Sequence, residues 1–359
     1  MPHNHETILY VDLKQLQKNY SYLKSLIPKN TKTIAVVKAH GYGLGDFEIS
    51  KKLESLGVNA LWVADFEEGV NLRKNGIKIP IIVANPGAKS YQTIIDNQLE
   101  PVIYNIRLLS IYIESKTPLN IHLKLNSGMN RYGFDSQELD QLILLLQKNP
   151  FLKVSSICSH LSSSNDSSQD GFSKKQIDLF EKSYTKIQQS LGYKTDTHIL
   201  NSNGVLRFDV NDSAVRLGIA LYGISPDSNL KQICSLHSTI SQIRNIEKDA
   251  KVGYQNAFVA KQAMKIALIP IGYADGINRK LGEGLGSVLI ENKICSIIGQ
   301  VSMDSLIVDI SNTTAQEGDD VILFNFQHSL QKIADDLDTI PYEIMATLNK
   351  RIKRVYLDE

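Results

Sequence analysis

Short apolar segments alternate with longer amphipathic ones over the first two thirds of the chain. The apolar segments are rich in β-branched residues, which is typical of buried strands, and segments such as 12–26, 47–56, 67–75 and 137–147 carry apolar residues at helical spacing. Strands are therefore predicted at 7–11, 34–38, 60–64, 79–84, 101–104, 121–125, 154–159, 198–200 and 214–222.

The rhythm changes near residues 225–228. Beyond that point β-type runs at 238–243, 265–269, 287–290, 294–298, 306–309 and 320–324 are separated by turns, which indicates an antiparallel, mostly β region. Helix is predicted at 330–337 and 341–353. Repeated β-α units favour a barrel over an open doubly wound sheet, since no G-x-G-x-x-G follows a strand.

The predicted fold class is therefore α/β, with a (βα)8 TIM-barrel N-terminal domain and a mostly antiparallel β C-terminal domain. We expect the barrel at residues 1–228 and the β domain at 229–359. The first few residues, to about residue 8, are expected to pair with the β domain.

Composition narrows the class of protein. The chain has 359 residues, more than one ordinary core holds, and its 39 Lys+Arg against 38 Asp+Glu leave a net charge of +1. That balance gives no support for a nucleic-acid or membrane partner. We find no signal peptide and no apolar run that spans a bilayer, so a cytoplasmic location is expected. Three scattered cysteines indicate buried thiols and no metal site.

The most informative stretch is 33–46, where an apolar strand ends in Lys38 and opens into a glycine-rich loop. A lysine at the end of a buried strand is desolvated, which lowers its pKa and makes the amine a nucleophile. Gly41, Gly43 and Gly45 allow backbone amides to approach an anion. Amine and loop together suggest pyridoxal phosphate held as a Schiff base. Taken alone, the stretch fits equally well a solvent-reaching lysine before a floppy loop.

Other polar residues fall where the predicted barrel strands end, which is the functional rim of such barrels. Each has a simpler interpretation: His160 as a structural histidine, Lys124 as the partner of a carboxylate, and Ser202 as part of a helix cap. Because all of them are predicted to lie on the same rim, a functional site is favoured over these separate interpretations. The rim residues are Lys38, Lys124, Arg131, His160, Ser202 and Arg216.

These residues carry a resemblance to a known family. The run Ala-Val-Val-Lys-Ala-His-Gly-Tyr-Gly-Leu-Gly at 35–45 resembles the cofactor signature of the alanine racemases, which are fold-type III pyridoxal-phosphate enzymes. Several motifs in register are far more specific than one. In the family's order there follow Lys-x-Asn-Ser-Gly-Met-x-Arg, Ser-His-Leu, Asn-Ser, Val-Arg-Leu-Gly-Ile-Ala-Leu-Tyr-Gly, Ile-Gly-Tyr-Ala-Asp-Gly and Ser-Met-Asp.

The resemblance implies a catalytic pair and a cofactor site. Lys38 would hold pyridoxal 5'-phosphate and act as one base, and Tyr273 would act as the other. Arg216 would face the pyridine nitrogen, with His160 supporting that arginine. The phosphate would contact Tyr42, Ser202 and the backbone amides of Gly218 and Ile219.

The resemblance also implies how the substrate is bound. Arg131 would contact the cofactor's phenolic oxygen or the substrate carboxylate, and Lys124, which is carbamylated in many relatives, would hold Arg131 in place. Met303 and Asp304 would help to bind the substrate carboxylate. No metal is implied.

The chemistry of this arrangement is coherent. Racemisation removes a proton from one face of a planar intermediate and returns it on the other, so Lys38 and Tyr273 on opposite faces make a two-base pair. Arg216 stays charged and keeps the pyridine nitrogen unprotonated, which disfavours side reactions such as transamination. In the family the tyrosine reaches the other subunit's lysine, so a homodimer with shared sites is expected.

The resemblance thus implies interconversion of L-alanine and D-alanine, supplying D-alanine for peptidoglycan. The alternatives are a racemase of the same fold for serine or a broader range of amino acids, a single-barrel cofactor-binding protein, a fold-type III decarboxylase, and a catalytically silent relative. Three departures from the family pattern bear on rate and specificity: Asn349 or Lys350 in place of a tyrosine, Gln300 in place of an arginine, and Asn126 in place of an aspartate.

Overall fold

The computed structural model describes residues 4–358, which form two compact units. Residues 1–3, which belong to the N-terminal segment where no signal peptide is predicted, and residue 359 lie outside the described part. In chain order the strands are β1 (Ile8–Asp12), β2 (Lys32–Val36), β3 (Ala60–Val63), β4 (Ile81–Val83), β5 (Glu100–Ile103), β6 (Leu119–Lys124), β7 (Leu152–Cys158), β8 (Asp196–His198), β9 (Ala214–Leu217), β10 (Cys234–Thr239), β11 (Gln242–Ile246), β12 (Lys251–Val252), β13 (Phe258–Val259), β14 (Met264–Ile269), β15 (Ser287–Ile290), β16 (Lys293–Ile298), β17 (Leu306–Asp309), β18 (Asp320–Phe324) and β19 (Lys353–Leu357).

Helices connect most of the strands between β1 and β9, and two more precede β19. Their bounds are Leu13–Ser25, Asp46–Ser55, Phe66–Lys74, Tyr91–Asp96, Ile106–Glu114, Leu139–Lys148, Asp170–Leu191, Ser202–Arg207, Leu330–Asp336 and Pro341–Ala346. Among residues 4–358, none of the helices combines the length and the apolar character that crossing a membrane requires.

The barrel unit comprises residues 17–41 and 46–221. Its eight strands pair in parallel, in the order β8-β7-β6-β5-β4-β3-β2-β9. The remaining seam, between β8 and β9, carries the bond from the Arg216 amide to the Leu200 carbonyl at 3.1 Å. Strands β3 and β4 are buried throughout, as expected when helices cover one face and barrel contents the other. The predicted (βα)8 barrel is confirmed.

Of the described residues, the second unit contains 4–16, 42–45 and 222–358. Its main sheet has the order β11-β14-β17-β16-β15-β18-β10-β1-β19, and only the β1–β19 pair is parallel among the described residues. Burial alternates along β10, which leaves one face against the core and one toward solvent. The predicted antiparallel β region is confirmed, and the N-terminal strand β1 pairs with β10 and β19.

Three predicted elements are wrong in extent. The strand predicted at 214–222 ends at Leu217, because the chain then turns and the Leu221 amide donates to the Gly218 carbonyl. The run 238–243 is not one strand, because Ile240 donates to the Asp319 carbonyl and Ser241 to the Leu268 carbonyl, so the chain changes partners between β10 and β11. The helix predicted at 341–353 ends at Ala346. Its continuation forms a turn in which Asn349 accepts from the Arg351 amide, and the chain then pairs with β1 as β19.

Candidate active site

Lys38 lies at the start of a left-handed turn that follows β2. Ala39, His40, Gly41 and Tyr42 have φ of 53°, 55°, 61° and 56°. Such a conformation costs little for glycine but stores strain in the other three residues, and strain of this kind concentrates at functional sites. The turn is held by a bond of 2.9 Å from the Gly41 amide to the Val37 carbonyl.

The Lys38 amine is desolvated. Burial lowers its pKa, the nearby Arg131 lowers it further, and Glu68 partly opposes both. No hydrogen-bond acceptor or ion-pair partner is bonded to its Nζ within residues 4–358. The amine predicted to be a nucleophile is therefore partly desolvated, although the residue as a whole is exposed, and it is free of a protein partner.

Glu68 supports the strand end and was missed in the sequence. Its carboxylate accepts from the Ala39 amide at 2.6 Å and from the Ala64 amide at 2.7 Å, which ties the residue after Lys38 to the end of β3. In the sequence Glu68 looks like an ordinary first-turn helix residue, whose amide Asp65 caps at 3.1 Å. No local signal marks its second role.

Arg216 is buried in β9 and surrounded by acceptors. One terminal nitrogen, Nη1, donates to the His198 ring at Nδ1 and to the His198 carbonyl at 2.8 Å. The other, Nη2, donates to the Ser159 carbonyl at 2.6 Å, to the His160 ring at 3.1 Å and to the Ile199 carbonyl at 3.1 Å. In the described chain no acceptor is bonded to Nε, so that donor is available to a ligand.

Positive charge converges on His160. Its pKa lies well below the ordinary value because the ring is buried and because four cations surround it. The ring therefore stays neutral and accepts a hydrogen bond from Arg216. A site this rich in cations is suited to an anionic ligand. The four cations are Arg216, Lys124, Arg131 and Lys38.

Lys124 has no carboxylate partner among the described residues, so the simple ion-pair interpretation does not hold. It lies at the end of β6, and burial lowers its pKa to about 8, with Arg216 and Arg131 contributing. Arg131 lies on the loop that follows. Asn126 organises that loop: its side-chain oxygen accepts from the Gly128 and Asn130 amides at 3.1 and 3.0 Å.

Asn126 also explains one departure from the family pattern. Its side-chain nitrogen donates to Asp135 at 2.8 Å and to the Asn130 side chain at 3.0 Å. An aspartate could not donate either bond and would place a second carboxylate against Asp135. The asparagine is therefore matched to its neighbours in this chain.

Ser202 and the backbone after β9 form a small polar cradle. The Ser202 hydroxyl accepts from the Gly218 amide at 2.8 Å and from the Ala220 amide at 3.4 Å. The Ile219 amide between them has no bonded acceptor in the described part of the chain, although Ile219 is buried. Amides arranged in this way suit a phosphate.

The second unit places Tyr273 on a tight turn packed against the Ser302–Asp304 loop. The Tyr273 amide donates to the Ser302 carbonyl and the Ala274 amide to the Met303 carbonyl, both at 3.0 Å. A Cβ on Gly272 would lie 2.3 Å from the Ser302 carbonyl oxygen, so only glycine permits this contact. Tyr273 and Met303 are both exposed, at 43% and 53%.

Arg351 joins this turn to Asp304. Its Nε and Nη2 atoms donate to the Asp275 carboxylate at 2.6 and 3.0 Å, and Nη2 also donates to Asp304 at 2.7 Å. Asp275 in turn accepts from the Gly272 amide at 2.9 Å. The Arg351 guanidinium thus joins the turn that carries Tyr273 to Asp304, and the sequence analysis did not identify this arginine.

The glycines after Tyr42 serve packing within the second unit. A Cβ on Gly43 would lie 1.9 Å from the Met345 carbonyl oxygen, and one on Gly45 would lie 1.8 Å from the Tyr356 hydroxyl. The Tyr42 ring lies 5.9 Å from that of Tyr342, between centroids. The C-terminal segment therefore supplies a tyrosine beside Tyr42, although the family's usual position carries Asn349 or Lys350.

Gln300 also has a defined environment. Its side-chain oxygen accepts from Arg279 Nη2 at 2.5 Å, so a guanidinium from a neighbouring turn lies where the family often has its own arginine. No group of three or more metal-ligating side chains occurs in residues 4–358.

Comparison with known proteins agrees with both units. The family model described as "Alanine racemase, N-terminal domain" matches residues 11–226, and "Alanine racemase, C-terminal domain" matches residues 233–356. The chain is 34% identical to an alanine racemase of Helicobacter pylori strain P12, over 97% of this chain and 98% of the relative. It is 32% identical to one of Treponema denticola, over 97% of each.

Solved structures lead to the same family. An alanine racemase of Clostridium difficile 630 superimposes with a TM-score of 0.93 at 28% identity, over 99% of this chain and 97% of the other. An alanine racemase of Bartonella henselae with covalently bound pyridoxal phosphate has a TM-score of 0.90 at 29% identity, over 98% of this chain and 100% of the other. This chain belongs to the alanine racemase family.

Proposed function

We propose that this chain interconverts L-alanine and D-alanine with pyridoxal phosphate on Lys38, and that Lys38 and Tyr273 are its two bases. The observation that supports the proposal is the Lys38 amine, whose pKa is lowered, which has no protein partner and which lies among the cations around His160. The barrel unit would hold the cofactor, and the β unit would supply the second base.

The residues fit that cofactor. A free amine of lowered pKa suits attachment of an aldehyde, the Arg216 Nε–H suits a ring nitrogen, and the Ser202 cradle suits a phosphate. When bound, pyridoxal phosphate supplies the electron-withdrawing ring that makes the α-proton of alanine removable. Tyr42 would add a phosphate contact.

The two bases divide the proton transfer. Lys38 Nζ takes or returns the α-proton on one face of the substrate, and Tyr273 Oη does so on the other. Arg216 can only donate, so it cannot give the ring nitrogen a full proton without losing its own charge. Arg131, with Met303 and Asp304, would hold the substrate carboxylate.

Lys124 would be carbamylated. A buried amine with a pKa of about 8 and no carboxylate partner is a good nucleophile toward carbon dioxide. The reaction joins the amine nitrogen to carbon and releases one proton, leaving an anion among cations. That anion would pair with Arg131 and hold it in place.

The active form would be a homodimer in which Tyr273 of one chain serves Lys38 of the other. The exposure of the Tyr273 ring is compatible with such sharing. We propose a cytoplasmic enzyme that provides D-alanine for peptidoglycan. These roles follow from the family resemblance.

Substrate choice is the direct test of the proposed function. Purified protein with pyridoxal phosphate should racemise alanine from either enantiomer and should be much slower with serine and with larger amino acids. Chiral chromatography of a panel of L-amino acids measures this. Preferential turnover of serine would favour the alternative racemase, and no turnover of any member would contradict the proposal.

Arg351 should be needed for efficient turnover. In Arg351→Gln the fork that holds Asp275 and Asp304 is lost, so the Tyr273 turn and the substrate loop are no longer fixed together. We expect kcat/KM for both enantiomers to fall roughly 10- to 100-fold, as when a remote change misplaces a reacting group. The kcat/KM of Arg351→Lys should lie between those of the wild-type protein and Arg351→Gln. Unchanged kcat/KM in Arg351→Gln would contradict this role.

A further inference from the structure

A line of polar side chains crosses the barrel behind Arg216. Glu100 begins β5, His122 lies in β6, Ser156 in β7 and His198 ends β8, so four neighbouring strands each contribute one. His122 and Ser156 are direct partners in the β6–β7 ladder. The exposed fractions of His122, Ser156 and His198 are 4%, 3% and 0%. Buried polar groups of this kind are costly unless every one is satisfied.

The side chains are joined end to end. His198 Nε2 lies 2.9 Å from Ser156 Oγ, Ser156 Oγ lies 2.6 Å from His122 Nδ1, and His122 Nε2 lies 2.8 Å from Glu100 Oε2. At the other end Arg216 Nη1 bonds His198 Nδ1. The line therefore connects a buried guanidinium to a carboxylate through two imidazoles and one hydroxyl.

Arg216 fixes the direction of every bond. A guanidinium only donates, so His198 Nδ1 must accept and the ring proton must lie on Nε2. Burial and the charge of Arg216 keep the pKa of His198 well below its ordinary value, which agrees with a neutral ring. Its Nε2–H then donates to Ser156. Each step follows from the one before.

The second half of the line is fixed by the Ser156 hydroxyl. That hydroxyl has one proton, and within residues 4–358 its bonded neighbours are His122 and His198 alone. Because His198 uses the serine as an acceptor, His122 Nδ1 is the acceptor left for the hydroxyl proton, and a buried O–H without an acceptor would be costly. His122 then carries its proton on Nε2 and donates to Glu100. Glu100 also accepts from the Asn120 side-chain amide at 3.0 Å.

We propose that Glu100, His122 and Ser156 act as positioning residues for the racemisation, because they lock His198 in the one tautomer that Arg216 can bond. If His198 carried its proton on Nδ1, two donors would face each other and the guanidinium would have to move. This line of hydrogen bonds begins at the Glu100 carboxylate, four strands away from Arg216, and would keep Arg216 oriented toward the cofactor ring nitrogen. This inference rests on the proposed function.

The first test examines the ring protons directly. Solid-state NMR of protein labelled with ring-15N histidine, with and without pyridoxal phosphate, reports which nitrogens carry protons, and His122→Gln and His198→Gln assign the signals. We expect both rings to be neutral and protonated only on Nε2. A doubly protonated His122, or a proton on Nδ1 of His198, would overturn the proposed chain whether or not the protein racemises alanine.

The second test interrupts the line of polar side chains. In Ser156→Ala we expect a second His198 tautomer in the NMR spectrum, a fall in kcat of roughly 10- to 100-fold, and more pyruvate released per racemisation event. Pyruvate would be the product of transamination of alanine, the side reaction that Arg216 would disfavour. Glu100→Gln, which keeps an acceptor for His122 but removes the charge, should show the same changes to a smaller extent.

A matched control separates positioning from stability. Tyr20→Phe removes a buried hydroxyl bond of 3.0 Å, to Thr33, elsewhere in the barrel unit. It should lower the melting temperature without changing the ratio of pyruvate to racemised alanine. If Ser156→Ala and Glu100→Gln leave that ratio and the His198 tautomer as in the control, the line of polar side chains has no positioning role. Turnover by the wild-type protein shows separately whether the proposed function is correct.

Discussion

Replacing Lys38 with alanine should abolish alanine racemisation and the visible absorbance of covalently bound pyridoxal phosphate. The change removes the amine that would carry the cofactor and one of the two bases, so we expect turnover to fall by more than about a thousandfold. Absorbance of the purified protein and chiral chromatography measure the two losses. Wild-type turnover in Lys38→Ala would refute both the cofactor attachment and the two-base assignment.

Two controls make this result specific. Lys32→Ala removes an exposed lysine of β2, the strand that precedes Lys38; its Nζ pairs with Asp196 at 2.7 Å, and its loss should leave turnover unchanged. Lys38→Arg keeps a positive charge but offers no usable nucleophile, so it should be as inactive as the alanine variant. Because the Lys38 amine has no hydrogen-bond or ion-pair partner among residues 4–358, its removal should not lower the melting temperature.

The barrel could be predicted because each of its strands leaves a local pattern of apolar residues in the sequence. A strand buried on both faces requires an apolar run, and β3 and β4 have one. The end of the last helix could not be predicted in the same way. Residues 347–353 have an acceptable helical pattern, but pairing of β19 with β1, more than 300 residues away, competes with it and prevails.

The site could be predicted only as far as its motifs extend. Lys38 and Arg216 stand out because a charged residue in or after an apolar strand is unusual. Glu68 and His198 do not, since their roles depend on which amide or guanidinium the fold brings to them. The same applies to Arg351, whose two carboxylate partners lie 76 and 47 residues away along the chain.

Replacing Tyr273 with phenylalanine should slow proton abstraction from L-alanine far more than from D-alanine. The phenol serves one face of the substrate and Lys38 the other, so loss of the phenol should slow exchange of the α-proton of L-alanine about a hundredfold or more. Exchange of the α-proton in heavy water, followed by NMR or mass spectrometry for each enantiomer, measures the two sides separately.

The asymmetry distinguishes a catalytic phenol from a structural one. The amide of residue 273 and the Gly272 contact with Ser302 involve only backbone, so phenylalanine preserves the turn. Tyr10→Phe, which removes a hydroxyl from β1 of the same unit, should leave exchange from both enantiomers unchanged. Equal, small losses from L- and D-alanine in Tyr273→Phe would remove this residue from the mechanism, because a base that serves one face cannot affect both faces alike.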